Sequence, residues 1–295
     1  MEKQFAGVYT AIITPFNSDG QIDWTVFEKL IELQIAGGIT GIVPCGTTGE
    51  SPTLTEHEQL EVISRTVQLV KGRCSVVAGT GSNSTAHAVA LSRQAEELGA
   101  NAVLVVNPYY NKPTQEGLFR HFSAVANAIS IPLVVYNIKG RTAVNLETST
   151  LIRLIKSCKN ILAVKEASGD LNQMKDVIDQ APSYFSVLSG DDNLTLDLMK
   201  MGGTGVVSVA SNIIPREMSE MTALAQRGDY AAAEAIMRKY DPLFSAIFIE
   251  TNPIPIKAAL SMKGIGGEHY RLPLCELEGD NRVRLQRVLR EVGLV

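Results

Sequence analysis

A chain of 295 residues, 45% hydrophobic and 20% charged, can bury a large core, and that composition fits one domain, or one domain with an appendage, of an ordinary globular protein. The formal net charge of −4 comes with no block of like charge, which argues against nucleic acid and anionic lipid as partners. Cys45, Cys74, Cys158 and Cys275 form no CxxC pair and mostly sit in apolar surroundings, the pattern of reduced thiols in a cytoplasmic protein.

The N-terminus opens with charge and meets Pro15 after a short apolar run without a cleavage-type segment, so it does not read as a signal peptide, and no apolar run reaches the length of a membrane span. A repeating order then sets in: apolar run, polar turn, amphipathic helix, glycine. A strand is predicted over 8–14, followed by a helix that Asp23 caps, with Phe27, Leu30, Ile31 and Ile35 on its face and Gly37-Gly38 at its end. After a strand over 39–45, Thr55 and Glu58 form a capping-box pattern ahead of Leu60, Ile63 and Val67. Strands over 74–80, 101–107, 131–137 and 161–165 come next, and Asp170 with Gln173 repeats the capping-box pattern before Met174, Val177 and Ile178. Strands over 185–189 and 204–210 complete the series, and Pro215 stands where a first helical residue belongs. From Asp229 the pattern is helical, interrupted by TNPIP (251–255) and RLPL (271–274), with no Gly/Ser-rich linker.

These strands are continuously apolar, as strands covered on both faces are in a parallel sheet. About eight strand–helix units in about 225 residues fit a (β/α)8 barrel better than a doubly wound sheet. The expected architecture is therefore an α/β TIM barrel over 1–226, with a C-terminal helical region over 227–295 packed on it.

In such a barrel the loops after the strands converge on the working face. The strand ends read CGTTGES (45–51), NPYYNKP (107–113), YNIKGRT (136–142), KEASGD (165–170) and SGDDN (189–193), a concentration of hydroxyls and phenols with Lys165 and Arg141 among them. Lys165 ends the apolar run ILAV and has two readings. Either it marks the point where a strand surfaces, or it is a half-desolvated amine at the mouth of a closed barrel, partly unprotonated and nucleophilic. Thr47 and Thr48 offer hydroxyls and backbone N–H groups to a small carboxylate, or form an ordinary turn and helix cap. Tyr136 can relay protons or simply sit at a barrel rim; Arg141 can fork a carboxylate or lie on a surface loop. Tyr109 and Tyr110 have the look of a loop or interface pair.

Other chemistries fall away. The four histidines, His57, His87, His121 and His269, make no metal-ligand spacing, so no metal is expected. No phosphate-binding GxxxxGK[ST] loop and no GxSxG elbow occurs, and the glycine pattern from Gly79 lacks a third glycine for a dinucleotide. Asp191 and Asp192 stand where phosphate-binding barrels hold phosphate, which points to a substrate without one. What remains is a lysine amine that condenses with a ketone, makes the adjacent carbon acidic and lets it attack an aldehyde, with hydroxyls carrying the protons: class I aldolase chemistry, without a cofactor.

Taken together and in this order, GTTGES, NPYYNKP, YN-x-x-x-RT, VKEASGD and SGDD strongly resemble the dihydrodipicolinate synthase / N-acetylneuraminate lyase family over essentially the whole chain, ETNPIPIK (250–257) and RLPL included. Thr47 in place of a serine, and Arg141, put the chain on the synthase side, with N-acetylneuraminate lyase and 2-keto-3-deoxy-sugar-acid aldolases as the alternatives. The resemblance implies a Schiff base between Lys165 and pyruvate, and a proton relay of Tyr136, Thr47 and a Tyr110 lent by a neighbouring subunit. It further implies that Arg141 binds the carboxylate of aspartate 4-semialdehyde, that Thr48 and Gly49 contact substrate carboxylate, and that Gly190 and Val207 line the pocket. A homotetramer built as a dimer of dimers follows from the same likeness, as does a place in diaminopimelate and lysine synthesis.

Two departures carry expectations. Lys139 stands where relatives often have proline, which frees a backbone angle just before Arg141. Lysine-inhibited relatives place two histidines and a glutamate where this chain has Glu56, Gln59 and His87, while Ser51, Asn83 and Tyr109 are kept, so weak or absent inhibition by lysine is expected. Two readings from other classes are a keto-acid sensor on the same barrel, which would need no proton relay, and a nicotinamide-dependent reductase.

Overall fold

Eight runs of aliphatic and β-branched residues form parallel strands: β1 (Gly7–Ala11), β2 (Gly41–Val43), β3 (Ser75–Gly79), β4 (Ala102–Val106), β5 (Leu133–Asn137), β6 (Ile161–Glu166), β7 (Ser186–Ser189) and β8 (Gly205–Ser208). Each pairs with the next, and β8 returns to β1 with Val207 opposite Tyr9, so the computed structural model, which describes residues 3–295, holds a closed barrel with no free sheet edge. Most strands are shorter than the apolar runs, because residues such as Thr14 and Cys45 have already left the ladder to build the loops of the working face.

The outer ring comprises α1 (Trp24–Ala36), α2 (Glu56–Val70), α3 (Thr85–Glu97), α4 (Gln115–Ala126), α5 (Lys139–Thr142), α6 (Thr148–Ser157), α7 (Leu171–Gln180), α8 (Thr195–Lys200) and α9 (Pro215–Gln226). After it come α10 (Tyr230–Ala246), which packs on α9, then α11 (Ile254–Met262) and α12 (Gly279–Glu291), which pack on each other. Asp23 caps α1 by accepting from the N–H of Val26. At α2 the capping box is complete, with Thr55 accepting from the Glu58 N–H and Glu58 accepting from the Thr55 N–H. At α7 only half of the expected box forms. Asp170 accepts from the N–H groups of Asn172 and Gln173, but the Gln173 carboxamide turns to acceptors on Asn145, Leu146 and Glu166. TNPIP falls in the break between α10 and α11 and starts the latter, with Pro253 at the cap of α11 and Pro255 in its first turn.

Two hydrophobic layers result. One lies between strands and helices, around Phe27, Leu30, Ile63 and Phe122; the other fills the barrel with Tyr9, Val43, Leu104, Tyr136, Ala163 and Val207. Gly41 makes room for the inner layer, since a Cβ there would lie 2.6 Å from the Tyr9 ring. Along β6, Ala163 belongs to the inner layer and Val164 to the outer, so Lys165 points into the barrel and Glu166 away from it. Cys45 and Cys158 are buried, Cys74 is half-buried and Cys275 is exposed, so the apolar setting read for most of the cysteines holds fully for two. Among the described residues no helix is long and apolar enough to cross a membrane.

Candidate active site

The register of the barrel sets Lys165 beside Tyr136 of β5 on one side and Leu188 of β7 on the other. The lysine is 6% exposed, which rules out the reading of a surfacing strand end, and its Nζ lies 4.1 Å from the centroid of the Tyr136 ring. Among the described residues no hydrogen bond engages that nitrogen, which leaves it free for a ligand. Gly190, just past β7, donates its N–H to the Glu166 carbonyl at 2.7 Å; a Cβ on it would stand 2.5 Å from the Ala167 Cβ and 3.1 Å from the Lys165 Cε. Burial pushes the neighbouring Asp191 carboxyl up, and the Lys165 amine opposes that shift. Glu166, the other half of the KE pair, is also pushed up by burial and accepts from Asn137, Ser168 and Gln173 behind the strands, so it is not the ion-pair partner of Lys165.

Thr47 and Arg141 line a cleft of about 480 Å³, and a smaller recess on the same wall joins Thr47 to Tyr136. The GTTGE segment closes as overlapping turns, Gly49 N–H to Gly46 carbonyl and Glu50 N–H to Thr47 carbonyl, both 3.1 Å. The Gly49 N–H is therefore engaged inside the turn. The backbone N–H groups of Thr47 and Thr48 have no partner among the described residues, while the Thr48 hydroxyl accepts from the Asn252 side chain at 2.9 Å. Arg141 sits on α5 and donates to the Asn252 carbonyl at 3.0 Å. Lys139 opens α5 at a position whose N–H has no partner within the helix, and Ala143 N–H still closes the turn on its carbonyl at 2.9 Å, so lysine in place of proline leaves the turn formed. Val207 lies in the inner barrel layer.

Tyr110 is 89% exposed on a left-handed backbone, φ 74°, and is not brought to the cleft of its own chain. Ser51, Glu56, Gln59, His87 and Tyr109 line the same cleft as Thr47, so the candidate effector residues and the substrate residues share one space; Asn83 instead accepts from Asn111 through its carbonyl. Glu56 approaches His87 to 4.0 Å, which returns a carboxylate to this end of the cleft from the opposite helix.

Sequence reasoning missed the tail's part in the site. Lys257 on α11 forms a fully buried ion pair with Glu50 of the GTTGE turn, Asn252 touches both Thr48 and Arg141, and Arg271 of RLPL binds Glu58 at the start of α2. A lysine inside an apolar run, the feature that singles out Lys165, is equally present at Lys257 in PIKAAL. Asp192 is one of the two carboxylates that read as repelling phosphate. It is buried, and its carboxylate accepts from the N–H groups of Val209 and Ala210 at 3.1 and 2.9 Å, filling the backbone cradle after β8 itself.

A sequence model described as the dihydrodipicolinate synthetase family matches residues 4–292. The chain is similar to the 4-hydroxy-tetrahydrodipicolinate synthase of Endomicrobium trichonymphae, 52% identical over 291 residues that cover 99% of each protein. Its fold superimposes on the 4-hydroxy-tetrahydrodipicolinate synthase of Methylacidiphilum fumariolicum with a TM-score of 0.97 at 46% identity, covering 98% of this chain and 96% of that one. The chloride-inhibited dihydrodipicolinate synthase of Acinetobacter baumannii, solved in complex with pyruvate, matches with a TM-score of 0.96 at 42% identity, covering 98% of this chain and 99% of that one.

Proposed function

The chain belongs to the dihydrodipicolinate synthetase family, and on that footing we propose that it condenses pyruvate with L-aspartate 4-semialdehyde to 4-hydroxy-tetrahydrodipicolinate, the first committed step toward diaminopimelate and lysine. The observation that carries the reading is the inward, buried Lys165 with its amine against the ring of Tyr136. The amine adds to C2 of pyruvate, and the carbinolamine takes a proton and loses water, leaving an iminium. Loss of a C3 proton gives the enamine, C3 bonds to the aldehyde carbon, the aldehyde oxygen takes a proton, and the semialdehyde's amino group then adds to C2, closing the ring and releasing the Lys165 amine. The imine is the electron sink, so the reaction calls for no cofactor.

Tyr136, whose ring centroid lies 4.1 Å from the nitrogen, exchanges these protons; Thr47, which shares its recess, passes them outward. Tyr110 completes the relay from a neighbouring copy, a role that its outward placement supports, and a homotetramer built from such dimers follows. Thr48 and the turn N–H groups bind the keto-acid carboxylate beside Gly49, and Arg141 holds that of the semialdehyde. Gly190 and Val207 leave room around the adduct. The free thiols and the reaction's place in central biosynthesis support a cytoplasmic location.

Borohydride reduction in the presence of pyruvate, followed by intact mass, is expected to leave a lactyl-sized adduct on Lys165 and none on Lys165→Ala. A coupled assay is expected to give turnover with pyruvate and aspartate semialdehyde and none with N-acetylneuraminate. Absence of the adduct, or turnover of the sugar acid alone, overturns the reading. Lysine is expected to inhibit weakly or not at all, because the carboxylate near the effector residues comes from Glu56, on the other helix from that of sensitive relatives. Half-inhibition at low millimolar lysine would count against this.

A further inference from the structure

The Lys257–Glu50 pair belongs to neither the reacting groups nor the helix caps. Both side chains are shut off from solvent; the Lys257 amine donates to Glu50 Oε1 at 2.5 Å and to the Thr14 carbonyl at 3.1 Å, with the rings of Phe16 and Tyr270 at 4.4 and 5.0 Å. A buried pair of this kind adds little to stability over an apolar pair of the same volume, because desolvation offsets the attraction. Its effect on the turn is larger. Glu50 has φ 53°, a left-handed backbone that a glutamate keeps only when its surroundings impose it. Thr14, held through its carbonyl by Lys257, donates its hydroxyl to the Gly49 carbonyl at 2.7 Å. One amine therefore fixes residues 49 and 50, next to the unpartnered N–H groups of Thr47 and Thr48.

We infer that the buried Lys257–Glu50 pair positions the GTTGE turn for pyruvate: it aims the Thr47 and Thr48 N–H groups at the keto-acid carboxylate, so that C2 lies within reach of Lys165. This deepens the proposed reaction and rests on it. Lys257 and Glu50 touch no substrate; they are positioning residues.

The test replaces both charges at once in the full chain, Glu50→Gln with Lys257→Met, so that no lone charge stays buried. The melting temperature is expected to hold or rise, the pyruvate KM to rise by about 10- to 100-fold, and the Lys165 adduct at saturating pyruvate to form in full. A merely structural role would lower the active fraction and kcat with the pyruvate KM unmoved. A folded double variant whose pyruvate KM stays within about twofold of the parent overturns the inference. If the double variant does not fold, Thr14→Val, which keeps the ion pair and removes only the hydroxyl on Gly49, decides: a raised pyruvate KM supports the inference and an unchanged one overturns it. Failure of the reaction itself is separable, since the unmodified chain would then form no pyruvate adduct in the same measurement.

Discussion

Gly190 controls how much space the Lys165 side chain has. A methyl group there would press on the Ala167 Cβ and on the Lys165 Cε, and because Ala167 cannot rotate away, the backbone that carries both residues must shift and the lysine stem with it. Gly190→Ala is expected to slow pyruvate adduct formation by about 10- to 100-fold in single-turnover trapping. The same substitution should cost roughly 1–3 kcal/mol in stability as an overpacked core position. Trapping at the parent rate would mean that the amine is not confined. At this scale Lys165, Tyr136, Thr47 and Arg141 were legible because each breaks the local pattern: an amine or phenol in an aliphatic strand, hydroxyls between glycines, a guanidinium beyond a strand end. Lys257 breaks its pattern just as plainly, but its partner Glu50 lies 207 residues away, and nothing near either residue in sequence names the other.

The elements divide in the same way between local and distant causes. The full capping box of α2 was legible because Thr55 and Glu58 satisfy each other's backbone, whereas the half-box of α7 was not, because Gln173 finds its partners on α6's approach and on β6. The four residues of α5 carry no apolar period and escaped notice as a helix. Glu58 does double duty, since Arg271 also grips its carboxylate and pulls it down from 4.5 to about 2. A carboxyl lowered by folding binds its proton more tightly in the unfolded chain, so its contribution to stability is whole above pH 4.5 and is lost as pH falls from 4.5 to about 2. Calorimetry is expected to give the parent a steeper fall of melting temperature across that window than Glu58→Gln, which starts lower at neutral pH. Parallel curves would remove the Arg271–Glu58 contact from the acid response.

For the molecule as a whole, the barrel was legible because strand spacing and apolar runs are local properties, repeated eight times around one closed sheet. The tail was expected only to pack on that barrel. Its loops and α11 also reach the working face, with Asn252 on Thr48 and Arg141, Lys257 on the GTTGE turn and Arg271 on α2, so the last quarter of the chain shapes the loops that the first half supplies. Contacts across some two hundred residues leave no periodic trace in a sequence. The self-filled cradle beyond β8 bears on the scaffold's history and on its redesign. Grafting new loops onto this framework would not by itself admit a sugar phosphate; Asp192 would first have to be removed, and with it the clasp that ties the seventh strand's loop to the eighth's.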